Sequence, residues 1–260
     1  MLEKNTNPVR TALKEGKKLS GGWLQAVSPI TAEIMAEAGF DALMIDLEHA
    51  PGNIMTTMDQ IARLKGEKAV PFARATWNDF VLIKRILDAG VWGLLVPYVN
   101  TKEEAEQAVK SILYPTEGIR GVAGSPRVTH YGNKSMDYMK TANDNVFLMT
   151  AVETMTAVDN LDEILSVDRL DGIFLGPMDL ATSMGHFGSP SDPEVQQVIR
   201  GVEKKVFASG KIMATVAGSF EDAKAKYDRG YSLVFFFSDT TSLSKYARAT
   251  VNQFDEYAKK

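Results

Sequence analysis

Ionisable side chains of complementary types follow several short apolar runs of the sequence. Glu153 ends one such run and Asp179 closely follows the next, so two carboxylates occupy comparable positions after neighbouring runs. Paired carboxylates suit hard cations such as Mg²⁺ and Mn²⁺, with water or substrate filling the remaining positions. The alternative is that each carboxylate only caps the helix that follows it. We predict a divalent metal site on Glu153 and Asp179.

Arg74 and His49 add a positive charge and a proton-transfer group to this set. Arg74 ends another apolar run, where a guanidinium can stabilise negative charge that develops on an oxygen atom. An ion pair with Asp46 or Glu48 is the structural alternative for this arginine. His49 adjoins those two acids, and imidazole is the side chain most often used for proton transfer, which makes His49 a candidate for acid–base chemistry.

The segment Gly176-Pro177-Met178-Asp179 places a small residue and free backbone N–H groups at the start of a short helix. Such an arrangement suits a carboxylate or phosphate group. A tight structural turn is the alternative.

Eight short apolar runs alternate with segments of helical periodicity, and these elements must bring the side chains together. The runs are 19–27, 41–47, 69–75, 91–97, 145–152, 171–175, 211–216 and 231–237. The segments predicted to be helical are 29–38, 54–65, 79–89, 102–113, 154–165, 194–209, 220–229 and 240–257. Apolar strands that alternate with helices form parallel sheets joined by right-handed crossovers.

The number of runs favours closure of the sheet. No G-x-G-x-x-G motif follows the first run, which disfavours an open, doubly wound sheet. We therefore predict an α/β fold, a single (β/α)8 TIM-barrel domain over residues 1–260, with a helical lead-in over 1–18. Active sites of such barrels lie at the carboxyl ends of the strands, where the candidate residues fall.

One connection is much longer than the others. Residues 114–144 are rich in Gly, Pro and Ser, with a helix predicted over 135–143. Because long connections in compact domains are usually functional, we predict a loop on the active-site side; a decorative insertion is the alternative.

Composition excludes several classes of chemistry. The 260 residues contain no cysteine and three histidines, so thiol nucleophiles, Cys-based metal sites and His-rich metal sites are disfavoured. The strand lysines Lys68 and Lys211 fall at the starts of their runs, which disfavours a Schiff base. A net charge of −4 provides no basic field for nucleic acid. No 18-residue apolar run exists and residues 1–20 are polar, so we expect a cytoplasmic protein without a membrane partner.

Several short motifs lie between about Asn7 and about Tyr257, and their combination is highly specific for one protein family. They are Phe40-Asp41 with Ile45-Asp46-Leu47-Glu48-His49-Ala50-Pro51, Arg74-Ala-Thr-Trp-Asn-Asp79, Leu87-Asp88-Ala-Gly90, Leu94-Leu-Val-Pro97, Tyr114-Pro-Thr-Glu-Gly-Ile-Arg-Gly121, Val152-Glu153-Thr154 and Gly176-Pro177-Met178-Asp179-Leu180. In these motifs the chain resembles the class II, metal-dependent pyruvate aldolases of the HpcH/HpaI family.

The resemblance implies a carbon–carbon lyase that cleaves a 4-hydroxy-2-oxo acid to pyruvate and an aldehyde through a metal-stabilised enolate. It implies a small-molecule 2-oxo-acid substrate and a divalent cofactor, Mg²⁺ or Mn²⁺, with Co²⁺ as a further option. It also implies a TIM barrel whose C-terminal helix is exchanged between subunits, and dimers that assemble into a hexamer.

The resemblance also assigns residues. The metal ligands match Glu153 and Asp179. The substrate contacts match Arg74, Gly176, Pro177, Met178 and Asp179. The catalytic residues match Arg74, His49 and Asp88, with Asp88 linked to His49.

Three residues depart from the family pattern. The family commonly has Gly at the position of Leu47, Gln at that of Ala151 and Ala at that of Met178. The larger side chains reduce the pocket, and Ala151 removes a polar contact near the metal, so activity could be redirected, for instance to oxaloacetate decarboxylation. The alternatives are a citramalyl- or malyl-thioester-type lyase on the same fold, and a non-catalytic 2-oxo-acid-binding homologue.

Overall fold

The eight apolar runs form eight parallel strands that pair in chain order and close into a barrel, β1 lying beside β8. The computed structural model describes residues 6–259. The strands are β1 (Leu19–Leu24), β2 (Ala42–Asp46), β3 (Val70–Arg74), β4 (Gly93–Val96), β5 (Phe147–Val152), β6 (Gly172–Leu175), β7 (Ile212–Val216) and β8 (Leu233–Ser238). This confirms the predicted (β/α)8 barrel.

One helix precedes the first strand and the others follow strands, and most of them cover the outside of the barrel. They are α1 (Pro8–Lys14), α2 (Pro29–Glu37), α3 (Ile54–Arg63), α4 (Phe80–Ala89), α5 (Lys102–Ile112), α6 (Ser135–Asn145), α7 (Met155–Asp159), α8 (Leu161–Leu165), α9 (Pro177–Ser183), α10 (Pro193–Ser209), α11 (Phe220–Arg229) and α12 (Asp239–Ala258). The predicted lead-in contains α1, while residues 1–5 lie outside the described residues. Within residues 6–259, no helix combines the length and the apolar character needed to cross a membrane.

Two apolar layers stabilise the barrel, because successive side chains of a strand point alternately inward and outward. The outer layer lies between strands and helices and includes Ile45 and Leu94. The inner layer fills the barrel, where the Trp23 ring packs 5.3 Å from that of Phe235 and 5.8 Å from that of Phe174 between ring centroids. The barrel interior is therefore a packed core, and side chains that reach ligands must come from its rim.

The long segment 114–144 lies at the amino-terminal end of the barrel, so the prediction that it is on the active-site side is not what the structure shows. Helix α5 has already returned the chain to that end before the segment begins. Arg120 pairs with Asp88 near the end of α4 at 2.9 Å, and Arg127 Nη1 donates to the Ala89 carbonyl at 3.0 Å. A helix does occupy Ser135–Asn145, as predicted, and it helps to close this end of the barrel.

Helix α12 leaves the barrel after its first turn. Its first residue, Asp239, is buried and accepts hydrogen bonds from the backbone N–H groups of Gln25 and Ala26. Every residue from 243 to 259 is exposed, including apolar Leu243 and Phe254. The apolar face of this helix is therefore uncovered in the single chain.

Candidate active site

Arg74 and Asp46 form a buried pair at the carboxyl ends of β3 and β2, where the strand register places them opposite each other. Arg74 Nε donates to Asp46 Oδ1 at 3.0 Å and Nη2 donates to Oδ2 at 2.6 Å. Oδ2 also accepts from Trp23 Nε1 at 3.2 Å and from Gln25 Nε2 at 3.1 Å. Burial opposes ionisation of Asp46, but the Arg74 contacts outweigh it and hold its pKa at about 2.

Glu48 and Trp23 complete the surroundings of the guanidinium. Arg74 Nη1 lies 2.9 Å from Glu48 Oε2, and the guanidinium carbon lies 5.0 Å from the centroid of the Trp23 ring. Burial raises the pKa of Glu48, although the charge of Arg74 acts in the opposite sense. Both ion pairs considered as structural alternatives for Arg74 are thus formed, and they fix the direction in which this side chain faces the rim.

His49 lies at the mouth of the site. Its backbone N–H donates to Asp46 Oδ1 at 3.2 Å, which anchors the loop. Its side chain is 63% exposed, and Nε2 lies 4.0 Å from Glu48 Oε2. The imidazole is therefore open to solvent and to ligands entering the rim.

Asp88 is not near His49 within one chain. It lies in the last turn of α4, at the amino-terminal end of the barrel, where it accepts from the buried Arg120. The structure therefore brings His49 and Arg74 to one rim and places Asp88 at the opposite end.

Glu153 directly follows β5 and is 5% exposed. Its Oε1 accepts from the Tyr98 N–H at 2.8 Å. Burial, together with the like charges of Asp179 and Glu48, raises its pKa to about 7. Thr154, not Glu153, caps α7 by accepting from the Ala157 N–H. The capping alternative is thereby excluded for Glu153, and its carboxylate faces the rim.

Gly176 brings the next strand end close to that carboxylate. A Cβ at position 176 would lie 2.6 Å from Glu153 Oε2, so only glycine permits this approach. Asp179 lies in the first turn of α9, whose N-cap is Gly176 and which has no side-chain cap. Asp179 is therefore not the N-cap residue, although a carboxylate in the first turn also favours the start of the helix. Pro177 begins α9, and Met178 is 51% exposed beside it.

The charges at this rim fit a cation. Asp46, Glu48, Glu153 and Asp179 are four carboxylates, and Arg74 is the guanidinium among them. A divalent cation against Glu153 would favour the ionised form that burial now disfavours. Within residues 6–259 no group of three or more His, Asp or Glu side chains is arranged to hold a metal. A cation held by Glu153 and Asp179 would have two protein ligands, and its other coordination positions would be open to water or substrate.

The two strand lysines do not face the rim. Lys211 Nζ donates to the carbonyls of Val167 and Leu170 at 3.0 and 2.7 Å. Lys68 pairs with Asp41 at 2.7 Å. Both lysines lie at the amino-terminal ends of their strands, away from the rim.

Sequence reasoning missed Tyr98 and Gln25, because the search after the apolar runs centred on carboxylate, guanidinium, imidazole and lysine side chains. Gln25 follows β1 and holds Asp46, while Tyr98 follows β4 and holds Glu153 through its backbone. Burial and the charges of Asp179, Glu153 and Glu48 raise the pKa of Tyr98. The signal available was position: Tyr98 directly follows the apolar run 91–97, and Gln25 is a polar residue near the end of the run 19–27.

The sequence matches one protein family and its curated members over most of its length. The family model described as HpcH/HpaI aldolase/citrate lyase matches residues 19–245. The 5-keto-4-deoxy-D-glucarate aldolase of Escherichia coli O139:H28 (strain E24377A / ETEC) is 40% identical over 253 residues, which cover 97% of each chain.

Solved structures of proteins from the same family superimpose on this chain. An HpcH/HpaI aldolase/citrate lyase family protein from Burkholderia cenocepacia J2315 superimposes with a TM-score of 0.92 and 32% identity, covering 96% of this chain and 100% of that one. An HpcH/HpaI aldolase from Desulfitobacterium hafniense DCB-2 superimposes with a TM-score of 0.86 and 26% identity, covering 95% and 96% of the two chains. This chain belongs to the HpcH/HpaI aldolase/citrate lyase family.

Proposed function

We propose that this chain is a divalent-metal-dependent aldolase that cleaves a 4-hydroxy-2-oxo acid to pyruvate and an aldehyde. The observation that carries the proposal is the carboxylate pair Glu153 and Asp179 on the same rim as the fixed guanidinium of Arg74. The aldolase name of the Escherichia coli relative, which matches almost the whole chain, supports it.

The reaction breaks the bond between C3 and C4 of the substrate. The C4 hydroxyl loses its proton, C4 becomes the aldehyde carbon, and the electron pair of the broken bond forms the enolate of pyruvate. C3 then takes a proton. Glu153 and Asp179 would hold Mg²⁺ or Mn²⁺, which when bound stabilises negative charge on the oxygens of the 2-oxo acid.

Arg74 stabilises the charge that develops on the enolate oxygen. Its two bonds to Asp46 hold the guanidinium in place before substrate arrives, so no reorganisation is needed during the reaction. The turn from Gly176 to Asp179 presents backbone N–H groups at the start of α9, which suit the substrate carboxylate.

His49 is the acid–base group in this proposal, because imidazole is suited to proton transfer and the His49 ring is open to ligand and solvent. Asp88 can act on His49 only from a second copy of the chain, since it lies at the opposite end of its own barrel.

We also propose that the chain is an oligomer in which α12 is exchanged between copies. The helix exposes Leu243, Val251 and Phe254, and α2 exposes Ile30 and Ile34 on the barrel. Apolar surface of this extent is typically covered in an assembly. An exchange would cover both faces in a dimer, and three such dimers would form the hexamer that the family resemblance implies.

A panel of 4-hydroxy-2-oxo acids tests the proposed function. Pyruvate release in the presence of Mg²⁺ or Mn²⁺ is the expected result. Binding of pyruvate or oxalate without turnover of any panel member would indicate a 2-oxo-acid-binding protein, and turnover of malyl or citramalyl thioesters alone would indicate a thioester lyase. Release of pyruvate from oxaloacetate alone would indicate a decarboxylase.

A further inference from the structure

Two exposed aromatic side chains stack on each other beside the carboxylate pair. Trp77 lies between β3 and α4, and Tyr98 lies between β4 and α5, so both are at the carboxyl ends of neighbouring strands. Their ring centroids are 6.0 Å apart with an angle of 28° between the ring planes. Trp77 is 55% exposed and Tyr98 is 37% exposed. The pair therefore presents a flat apolar surface to solvent at the rim.

The backbone of Tyr98 ties this surface to the reaction centre. Tyr98 has a φ of +51°, a left-handed conformation that is unfavourable for a bulky residue. Its N–H donates to Glu153, and its carbonyl accepts from Asn100 Nδ2 at 3.1 Å. Strained residues held by their surroundings cluster at ligand-binding sites. The Tyr98 ring thus stands at a fixed place next to a proposed metal ligand.

The loop that carries Trp77 is also anchored. Thr76 Oγ1 donates to the Leu47 carbonyl at 2.9 Å, and Asn78 Nδ2 donates to the Glu104 carbonyl at 2.9 Å. Both neighbours of Trp77 hold the loop, while the indole itself remains exposed. The large apolar ring is therefore kept at the rim by its flanking residues.

We propose that the Trp77–Tyr98 stack binds the aldehyde half of the substrate, and that this half carries an aromatic ring. This inference rests on the proposed aldolase function. A planar ring bonded to C4 can extend the existing stack, because aromatic rings favour offset parallel contacts with one another.

The ratio of the kcat/KM values for two acids tests the proposal. Retro-aldol cleavage of 4-hydroxy-2-oxo-4-phenylbutanoate gives pyruvate and benzaldehyde, and that of 4-hydroxy-2-oxopentanoate gives pyruvate and acetaldehyde. The wild-type protein is expected to have the higher kcat/KM for the phenyl substrate. Trp77→Ala is expected to lower this preference about tenfold, and Trp77→Phe to restore most of it, since a ring is retained.

Phe187→Ala is the matched control. Phe187 is an aromatic residue that is 85% exposed on the segment between α9 and α10, at the same end of the barrel. Its loss is expected to leave the substrate ratio unchanged. A preference of the wild type for the pentanoate, or an unchanged ratio in Trp77→Ala, would overturn the inference.

Exchange of the C3 protons of pyruvate with deuterium separates this inference from the proposed function. The exchange needs the enolate-forming residues and Mg²⁺ but no aldehyde, so the wild type is expected to exchange pyruvate whether or not the stack binds the aldehyde half. A wild type that neither exchanges pyruvate nor cleaves either acid would refute the aldolase function and this inference with it. If the wild type exchanges pyruvate and cleaves the acids, but Trp77→Ala leaves the ratio of kcat/KM values unchanged, only the inference is refuted.

Discussion

Two acids, Asp46 and Glu48, hold Arg74 in position, and Asp46 is the more deeply buried of them. Asp46 accepts two hydrogen bonds from Arg74 and is 1% exposed, and Trp23 and Gln25 hold Asp46 in turn. The sequence predicted that Arg74 stands at the rim and named Asp46 and Glu48 as possible partners. It could not predict that both pairs form together, because that depends on strand register and rotamers.

Replacing Arg74 by Ala is expected to lower kcat for pyruvate release by about 10² to 10³, the range for loss of one donor to a developing oxyanion. Steady-state kinetics with the best acid of the panel would measure it. Arg74→Lys keeps the charge but loses the paired contact with Asp46, so only partial activity is expected. Unchanged turnover in a folded Arg74→Ala protein would contradict the enolate role.

Asp46 gives a prediction about pH and stability. Its pKa is lowered to about 2 in the folded protein from an ordinary value of 3.8. A lowered pKa stabilises the folded protein above the unfolded-state value, by about 2 kcal/mol here, and this contribution disappears as pH falls toward 2. The difference in free energy of unfolding between wild type and Asp46→Asn should therefore shrink from pH 4 to pH 2 in urea titrations. A difference that stays constant over this range would argue against the pairing.

At the scale of elements, periodicity predicted the eight strands and the helices between them because each apolar run is buried. It also placed Glu153 and Asp179 after neighbouring strands. The prediction that residues 114–144 lie on the active-site side was wrong, because it was based only on the length of that connection. A segment that follows a helix and precedes a strand lies at the amino-terminal end, whatever its length.

The turn between β6 and α9 gives a prediction at this scale. Gly176→Ala would place a methyl group against the Glu153 carboxylate and displace a proposed metal ligand. We expect Mn²⁺ affinity to fall at least tenfold in calorimetric titration. Gly201→Ala on α10 is the control, because a Cβ there has nothing within 4 Å. Equal Mn²⁺ affinity in Gly176→Ala and Gly201→Ala would count against the assigned ligand.

At the scale of the whole molecule, α12 is the element that the single barrel leaves uncovered. Its helical pattern was predictable from sequence, but periodicity does not say against which barrel a helix packs. The expectation of exchange between subunits came from family resemblance, and the exposure of residues 243–259 is consistent with it.

Assembly through α12 can be tested with charges on its apolar residues. We expect Val251→Asp combined with Phe254→Asp to lower the molecular mass measured by sedimentation, because buried unpaired carboxylates oppose association. Asp255→Ala, an exposed change on the same helix, should retain the mass of the wild type. A wild type that sediments as a monomer, or a double variant of unchanged mass, would speak against exchange.

The central claim is that Glu153 and Asp179 bind a divalent metal needed for the reaction, and removal of metal from the protein is the most direct test. Protein dialysed against EDTA should release no pyruvate from a 4-hydroxy-2-oxo acid and should recover on addition of Mg²⁺ or Mn²⁺. Glu153→Gln and Asp179→Asn should not recover at the same metal concentrations. Full activity of the metal-free wild type would contradict the account.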